Sequence, residues 1–245
     1  MEREAAIART HRAGNSRKVR IASAATAAAV LAAAVAATPP AASAEPGFRE
    51  IETALFVGHP PPALSKVRRW SGTVFWSAGG ERKPAPVADI LAAAAEINLL
   101  LAGTGVFLSP AFGEFKPRIV ISYLPPEKVR NLAATAAGPE EGRVGQTIAF
   151  PDGGSGYGFV AIAVADDLPL RHRRYVIRHE LLHAMGIPKH VGQDAESVMC
   201  RIHSPDDAPS RLLDFDRMLL RFLYRDVRPG ATPEEVRRVW ESRPR

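Results

Sequence analysis

The chain has 245 residues, a single cysteine and a formal net charge of +6 at neutral pH. One cysteine excludes an internal disulfide, so the fold depends on its apolar core and on any metal that it binds. Residues 1–44 hold six Lys or Arg and two acidic residues, a net +4, which leaves +2 for the rest of the chain. So small a charge argues against a nucleic-acid partner, which calls for a basic surface.

The first 44 residues have the organisation of a secretory signal peptide. A basic segment precedes an alanine-rich apolar run of 17 residues, 21–37, and Ala42-Ser43-Ala44 is typical of a cleavage site. We therefore predict a signal peptide over residues 1–44 and a protein that is secreted or periplasmic in a bacterium. The alternative is an uncleaved membrane anchor, for which the apolar run is short. After cleavage we expect no stable membrane span.

Residues 45–64 are rich in proline, which predicts a linker or an extended arm. Residues 65–245 are enough for one domain with a sizeable apolar core, which we expect to be a monomer. The elements predicted in this domain are strands at residues 70–76, 118–124, 147–150 and 158–164, and helices at residues 86–101, 168–185, 212–224 and from 232 onwards. This order is typical of an α+β domain.

Local patterns support these elements. Val74 and Trp76 alternate with Phe75, as on the two faces of a strand. Asp166 or Asp167 is the predicted N-cap of the helix at residues 168–185. Thr232 followed by Pro233 predicts the start of the last helix, because proline is favoured at the first helical position.

The helix predicted at residues 168–185 carries His-Glu-Leu-Leu-His at residues 179–183, which fits the pattern HExxH. Residues four apart lie on one helix face, so His179 and His183 can bind one metal ion together. Glu180 is rotated by about 100° from His179. It can therefore lie beside the ion and act as a general base rather than as a ligand. HExxH on a helix is a signature of zinc hydrolases, so the predicted ion is Zn²⁺.

Gly186 and His190 extend the pattern to HExxHxxGxxxH, and Ser197-Val198-Met199 follows shortly after. The whole is similar to the metzincin zinc peptidases, whose pattern HExxHxxGxxH is followed by a Met-turn beneath the metal. The resemblance implies that Gly186 ends the helix, that a third ligand follows it and that Met199 belongs to the Met-turn. It also implies a metzincin-like zincin fold of class α+β, with a twisted mixed sheet, a zinc-binding helix and C-terminal helices.

The third ligand departs from the metzincin spacing by one residue. The metzincin ligand falls at Lys189, and a protonated ammonium cannot bind a metal. His190 can serve if the turn holds one extra residue, and we predict His190 as the third ligand. Asp194 is the alternative, since Asp also binds zinc, and His203 is a weaker one.

A second resemblance lies nearer the C-terminus. Residues 213–224 and 227–230 resemble the C-terminal part of an uncharacterised domain-of-unknown-function family of secreted bacterial proteins with metzincin-like signatures. The likeness covers approximately residues 65–240. Members of that family vary in their zinc ligands, so this resemblance alone does not imply catalysis.

Together these patterns predict a secreted zinc-dependent endopeptidase that acts on a peptide or protein substrate. His179, His183 and His190 would hold Zn²⁺, and Glu180 would take a proton from an attacking water and deliver it to the leaving amine. The two strands before the zinc helix are the candidates for an edge strand that pairs with an extended substrate. Two alternatives stay open, namely a zinc amidase acting on cell-wall peptides and a non-catalytic binding module that contains zinc.

Overall fold

The computed structural model describes most of the chain after the predicted signal peptide. The described residues are 47–56, 66–137, 143–192, 196–200 and 205–244. The signal peptide, residues 45–46 and 57–64 of the predicted linker, Asp194 and His203 lie outside them. No described helix is both long and apolar enough to cross a membrane.

A five-stranded mixed sheet lies at the centre of the domain. Its strands are β1 (Thr73–Gly80), β2 (Phe107–Pro110), β3 (Ile119–Leu124), β4 (Gly145–Pro151) and β5 (Tyr157–Ala165). Their spatial order is β2-β1-β3-β5-β4, in which β4 runs antiparallel to β5 and all other neighbours are parallel. The mixed sheet is as predicted, and of the two strands that precede the HExxH helix it is β4 that forms an edge.

The described residues also form six helices. They are α1 (Phe48–Leu55), α2 (Val87–Leu100), α3 (Pro126–Ala137), α4 (Leu170–Ala184), α5 (Asp214–Arg225) and α6 (Pro233–Glu241). The HExxH helix, α4, packs on β4 and β5, and α2 packs on both α4 and β2. The edge strand β4 therefore lies directly beside the helix that carries the motif.

Strand β5 is buried on both faces, which explains its nearly continuous apolar sequence. Val160, Ile162 and Val164 belong to the main core, which also includes much of α4. On the opposite face, Ala163 and Ala165 pack with Val129 of α3 in a second, smaller cluster. Strand β1 shows the predicted alternation, since Val74 and Trp76 are buried while Phe75 is only half-buried.

Helix α1 corrects the prediction of a linker at residues 48–55, while residues 45–46 and 57–64 of that segment lie outside the described residues. The prolines that suggested a linker, at residues 46 and 60–62, flank the helix and do not interrupt it. The buried residues of α1 are Ile51, Ala54 and Leu55, which lie on one face of the helix because they are three and four residues apart. The backbone N–H of Lys189 donates to the Ala54 carbonyl at 3.3 Å, so α1 supports the loop that leads to His190.

The predicted N-cap of α4 is also wrong. The helix begins at Leu170, and its N-cap is Pro169, with no side-chain capping bond. Asp166 instead forms an ion pair with Arg82, which lies just beyond β1. The Asp166 carboxylate therefore binds Arg82, a residue distant in sequence, and does not cap the helix.

The start of α6 is as predicted. Thr232 is the N-cap and Pro233 occupies the first turn. The backbone N–H of Glu235 donates to the Thr232 hydroxyl at 3.4 Å, and the Thr232 N–H donates to the Glu235 carboxylate at 2.8 Å. This reciprocal pair of bonds is a capping box, which satisfies two of the donors left over at a helix start.

A network of ion pairs holds α4 against α2 and α5. The Glu96 carboxylate on α2 accepts from Arg178 of α4 at 2.9 Å and from Arg217 of α5 at 3.2 Å. The backbone N–H of Leu212 donates to the same carboxylate at 2.9 Å. Because Arg178 directly precedes His179, the network fixes the turn of α4 from which the motif starts.

Candidate metal centre

Helix α4 places its two motif histidines side by side. The Nε2 atoms of His179 and His183 lie 3.1 Å apart. The residues are four apart and so share one face of the helix. His179 is only 8% exposed and His183 is partly buried, so both rings point inward from the helix surface.

A glycine turn ends α4 directly after the motif. Gly186 has φ +99°, and a Cβ there would lie 2.3 Å from the Arg68 carbonyl oxygen, so only glycine fits. Its N–H donates to the His183 carbonyl and the Ile187 N–H donates to the Leu182 carbonyl, both at 3.1 Å. These two bonds form a Schellman motif, which reverses the chain at the helix end.

The reversed chain returns His190 to the two helix histidines. The Nε2 atom of His190 lies 3.0 Å from that of His179. Lys189, at the position of the metzincin ligand, is exposed, whereas His190 is partly buried. The extra residue in the turn therefore brings an imidazole, and not the lysine, to the other two rings.

A backbone carbonyl orients each helix histidine. His179 Nδ1 lies 2.7 Å from the Val198 oxygen, and His183 Nδ1 lies 2.7 Å from the Ile187 oxygen. A carbonyl oxygen only accepts, so each Nδ1 carries the hydrogen and each Nε2 presents its lone pair. Two such Nε2 atoms cannot hydrogen-bond to each other, so a cation between them is the chemical complement of this arrangement.

The donor set fits Zn²⁺. One ligand atom from each of His179, His183 and His190 can be chosen so that all lie within 4.8 Å of one another. Tetrahedral zinc with Zn–N bonds of about 2.05 Å separates its nitrogen ligands by about 3.3 Å, close to the spacing seen here. Across the described ranges, no other group of three or more His, Cys, Asp or Glu side chains has this geometry.

Burial keeps the helix histidines neutral, as metal ligands must be. Burial, and next the neighbouring His190, lower the pKa of His179 to about 4. Burial, and next His179, lower the pKa of His183 well below its usual value. Both imidazoles are therefore unprotonated at neutral pH and available to a metal.

Glu180 lies against the edge strand. Its side chain is buried, and the Thr147 hydroxyl of β4 lies 2.7 Å from its carboxylate. Burial raises the pKa of Glu180 to about 7, while the Thr147 hydrogen bond and the charge of Arg143 act in the opposite direction. A carboxyl group with a pKa near neutrality can both accept and return a proton at physiological pH.

Gly145 makes room for this carboxylate. A Cβ at Gly145 would lie 2.4 Å from Glu180 Oε1 and 2.8 Å from a Val176 methyl carbon. Both contacts are too short for real atoms, so any side chain at this position would displace Glu180 or the strand. The first residue of β4 therefore shapes the position of Glu180 by having no side chain.

Met199 lies in a buried turn beside the histidines. Met199 is fully buried, and its N–H donates to the Ser197 hydroxyl at 2.9 Å. The Cys200 N–H donates to the Ser197 carbonyl at 3.2 Å, which closes the turn. The preceding residue, Val198, supplies the carbonyl that orients His179, so this turn is part of the candidate centre.

Asp216 is a functional candidate that the sequence analysis missed. It lies on α5 with 0% exposure and accepts hydrogen bonds from the Ser197 hydroxyl and the Val198 N–H. A sequence signal existed, because Asp216 is an acidic residue on the apolar face of an amphipathic helix. The apolar residues of that face are Leu219, Leu220 and Leu223.

The structure brings most of the candidate residues together. One ring nitrogen from each of the three histidines can be chosen so that all three lie within 4.8 Å of one another. Glu180 lies on the same helix as two of them and contacts β4. Gly186 forms the turn between His183 and His190. Asp194 and His203, the alternative third ligands, lie outside the described residues.

Comparisons with known proteins give a family match and matches to solved structures. A crystal structure of myroilysin matches with a TM-score of 0.36 and 11% sequence identity, over 74% of this chain and 93% of that chain. A likeness this distant supports no conclusion about function, and no curated protein matches the sequence. Residues 49–242, from α1 to the end of α6, match a family model described as protein of unknown function DUF2927. The chain therefore belongs to the DUF2927 family, whose function is unknown.

Proposed function

We propose that the chain is a zinc-dependent hydrolase, and specifically a secreted endopeptidase of the metzincin type. The observation that carries the proposal is the meeting of three imidazoles, from His179, His183 and His190, beside a buried glutamate. The two helix histidines present unprotonated Nε2 atoms because their Nδ1 hydrogens are taken by carbonyls. The HExxHxxG sequence and its resemblance to metzincins support the same chemistry.

The number of ligands supports a catalytic rather than a structural site. Structural zinc sites normally have four protein ligands, whereas catalytic sites have three and leave one position open. The group formed within the described residues holds three. Three protein ligands are what we expect of the hydrolase, whereas a fourth ligand from outside the described residues would indicate the non-catalytic zinc module.

The residues of the chain have distinct roles in this proposal. His179, His183 and His190 hold the metal. When bound, zinc supplies a Lewis acid that lowers the pKa of water and polarises a carbonyl group. Glu180 accepts the proton of the attacking water and returns it to the leaving amine, a role that suits its pKa near neutrality. Thr147 holds the Glu180 carboxylate in place between these two steps.

The neighbourhood of β4 favours an extended peptide as the substrate. This strand is at the edge of the sheet, and an edge strand offers backbone groups to a peptide that adds as a further strand. Its residue Thr147 contacts Glu180 directly. A peptide paired with β4 would therefore run past the candidate general base. A zinc amidase for cell-wall peptides would use the same centre and differ in the bond that it cleaves.

The proposal is tested by measuring zinc content and peptide cleavage in parallel. The proteins are the wild type, Glu180→Gln, and Glu127→Gln as a control at an exposed glutamate on α3. We expect one zinc per chain in all three proteins. Cleavage of a peptide library should fall about 10²- to 10⁴-fold in Glu180→Gln, because the amide cannot accept the proton, and should be unchanged in the control.

Three outcomes would contradict parts of the proposal. Absence of stoichiometric zinc after reconstitution would refute the metal centre. Equal cleavage by the wild type and Glu180→Gln would refute the role of Glu180. Bound zinc without cleavage of any peptide would refute the endopeptidase, and cell-wall peptides would then distinguish the amidase from the non-catalytic module.

A further inference from the structure

Asp216 is a buried carboxylate whose partners belong mainly to the turn beside the histidines. It accepts from the Ser197 hydroxyl, from the Val198 N–H at 3.0 Å and from the Leu213 N–H at 2.9 Å. A buried carboxylate without such donors would be strongly destabilising. Charge-assisted bonds of this kind are also short and directional, so they fix the position of the turn relative to α5.

The same turn contacts the chain at two of the three histidines. Val198 gives its N–H to Asp216 and its carbonyl oxygen to His179 Nδ1, at 2.7 Å. The Met199 carbonyl accepts from the N–H of Val191, the residue after His190, at 3.2 Å. Displacement of the turn would therefore change the orientation of the His179 ring and shift the loop that carries His190.

The turn has a second anchor that does not involve Asp216. The Tyr175 hydroxyl, on α4, donates to the Cys200 carbonyl at 2.6 Å. Loss of Asp216 should therefore leave the Cys200 end of the turn attached while the Val198 end loses its fixed position. This makes a specific effect on His179 separable from a general loss of fold.

We propose that Asp216 is a positioning residue of the metal centre: it holds Val198, and Val198 in turn holds the tautomer and ring orientation of His179. This inference rests on the metal site of the proposed function but not on any peptidase activity. Outer partners of metal ligands typically contribute about 10- to 100-fold to metal affinity. We expect Asp216 to contribute within that range, although it lies too far out to be a ligand itself.

The test compares Asp216→Ala and Asp216→Asn with wild type. Asp214→Ala is the matched control, because Asp214 is exposed on the same helix. Each purified protein is titrated with Zn²⁺ against a chromophoric chelator, and the visible absorption of its Co²⁺ form is recorded. The unfolding midpoint of the metal-free form is measured separately, so that stability and metal affinity are distinguished.

We expect Asp216→Ala to raise the zinc Kd about 10- to 100-fold and to change the Co²⁺ spectrum. Asp216→Asn should largely restore both, because its amide oxygen can still accept from Val198 and Leu213 while its amide nitrogen donates to the Ser197 hydroxyl oxygen. Asp214→Ala should match the wild type. This rescue by an uncharged acceptor would assign the effect to positioning rather than to charge.

An unchanged zinc Kd and Co²⁺ spectrum in folded Asp216→Ala would overturn the inference, whatever its unfolding midpoint. If Asp216→Ala does not fold, Asp216→Leu decides, because leucine fills the buried space of the aspartate but cannot accept from the Val198 N–H. A raised Kd in that variant supports the inference, and an unchanged Kd overturns it. Failure of the wild type to bind zinc would instead refute the proposed function.

Discussion

The hydroxyl of Thr147, on the edge strand, lies 2.7 Å from the carboxylate of Glu180, on the HExxH helix. The same oxygen lies 3.1 Å from the Glu180 carbonyl. A hydroxyl has one hydrogen, and the closer, negatively charged carboxylate is the better acceptor. The proposed general base is therefore held by β4, the edge strand that we propose pairs with a peptide substrate.

Replacement of Thr147 by valine should reduce turnover without loss of metal. Valine keeps the shape of the side chain but cannot donate, so the Glu180 carboxylate loses a partner worth about 1.5–3 kcal/mol. Such a loss, converted into a ratio of rates, corresponds to a kcat about 10- to 100-fold lower. The zinc content should be unchanged. Thr147→Ser keeps the hydroxyl and should retain most of the activity. Equal kcat values for the valine and serine variants would show that the hydrogen bond has no part in catalysis.

Substitution of Gly145 by alanine should displace Glu180. The new Cβ would lie 2.4 Å from Glu180 Oε1, and overpacking of this kind costs about 1–3 kcal/mol. We expect both kcat and the free energy of unfolding in urea to fall. Gly79→Ala is the control, because a Cβ at that position of β1 has no neighbour within 4 Å. If the two alanine variants have the same kcat and the same free energy of unfolding, the contact between residue 145 and Glu180 does not affect activity.

The parts of the site that were predictable from the sequence depend on short-range geometry. The pairing of His179 with His183 follows from the helical repeat alone. The need for glycine at residue 186 follows from the sharp reversal after the helix, and the structure has the positive φ that this requires. A pattern of adjacent residues was enough in both cases because each contact closes within one or two turns.

The parts that escaped prediction depend on contacts between distant segments. Asp216 and Thr147 touch the candidate centre only after α5 and β4 have packed beside α4. Local spacing predicts a helix cap at Asp166 or Asp167, because Arg82, the actual partner of Asp166, is remote in the sequence. Helix α1 was not predicted for a different reason. It is only 8 residues long, and the prolines on both sides of it indicate a linker more strongly than its short apolar pattern indicates a helix.

The identity of the third ligand can be tested by paired substitution. His190 Nε2 lies 3.0 Å from His179 Nε2, so His190→Ala should remove one of three ligands and raise the zinc Kd by orders of magnitude. Asp194→Ala should leave the Kd close to that of the wild type. The measurement is competition with a chelator of known affinity. The opposite ranking of the two variants would assign the ligand to Asp194.

Glu180 should also make the stability of the metal-free protein depend on pH. Burial raises the pKa of this carboxyl from 4.5 to about 7 in the folded protein. Below pH 4.5 the group is protonated in both the folded and unfolded states. As the pH rises from about 4.5 to about 7, the unfolded chain releases this proton while the folded protein keeps it. The folded state therefore becomes less stable relative to the unfolded state. The contribution of Glu180 to the free energy of unfolding therefore decreases as the pH rises from about 4.5 to about 7.

Glu180→Gln removes this titration and isolates its contribution. One pKa unit corresponds to about 1.4 kcal/mol, so the shift of Glu180 corresponds to about 3 kcal/mol across the window. We expect the metal-free glutamine variant to gain stability relative to the metal-free wild type by about that amount between pH 4.5 and pH 7. Other titrating groups are common to both proteins and cancel in the difference. The measurement is urea unfolding of both proteins with a chelator present, since a bound cation would stabilise the charged carboxylate. A difference that stays constant over this range would mean that Glu180 ionises in the folded protein as it does in the unfolded chain.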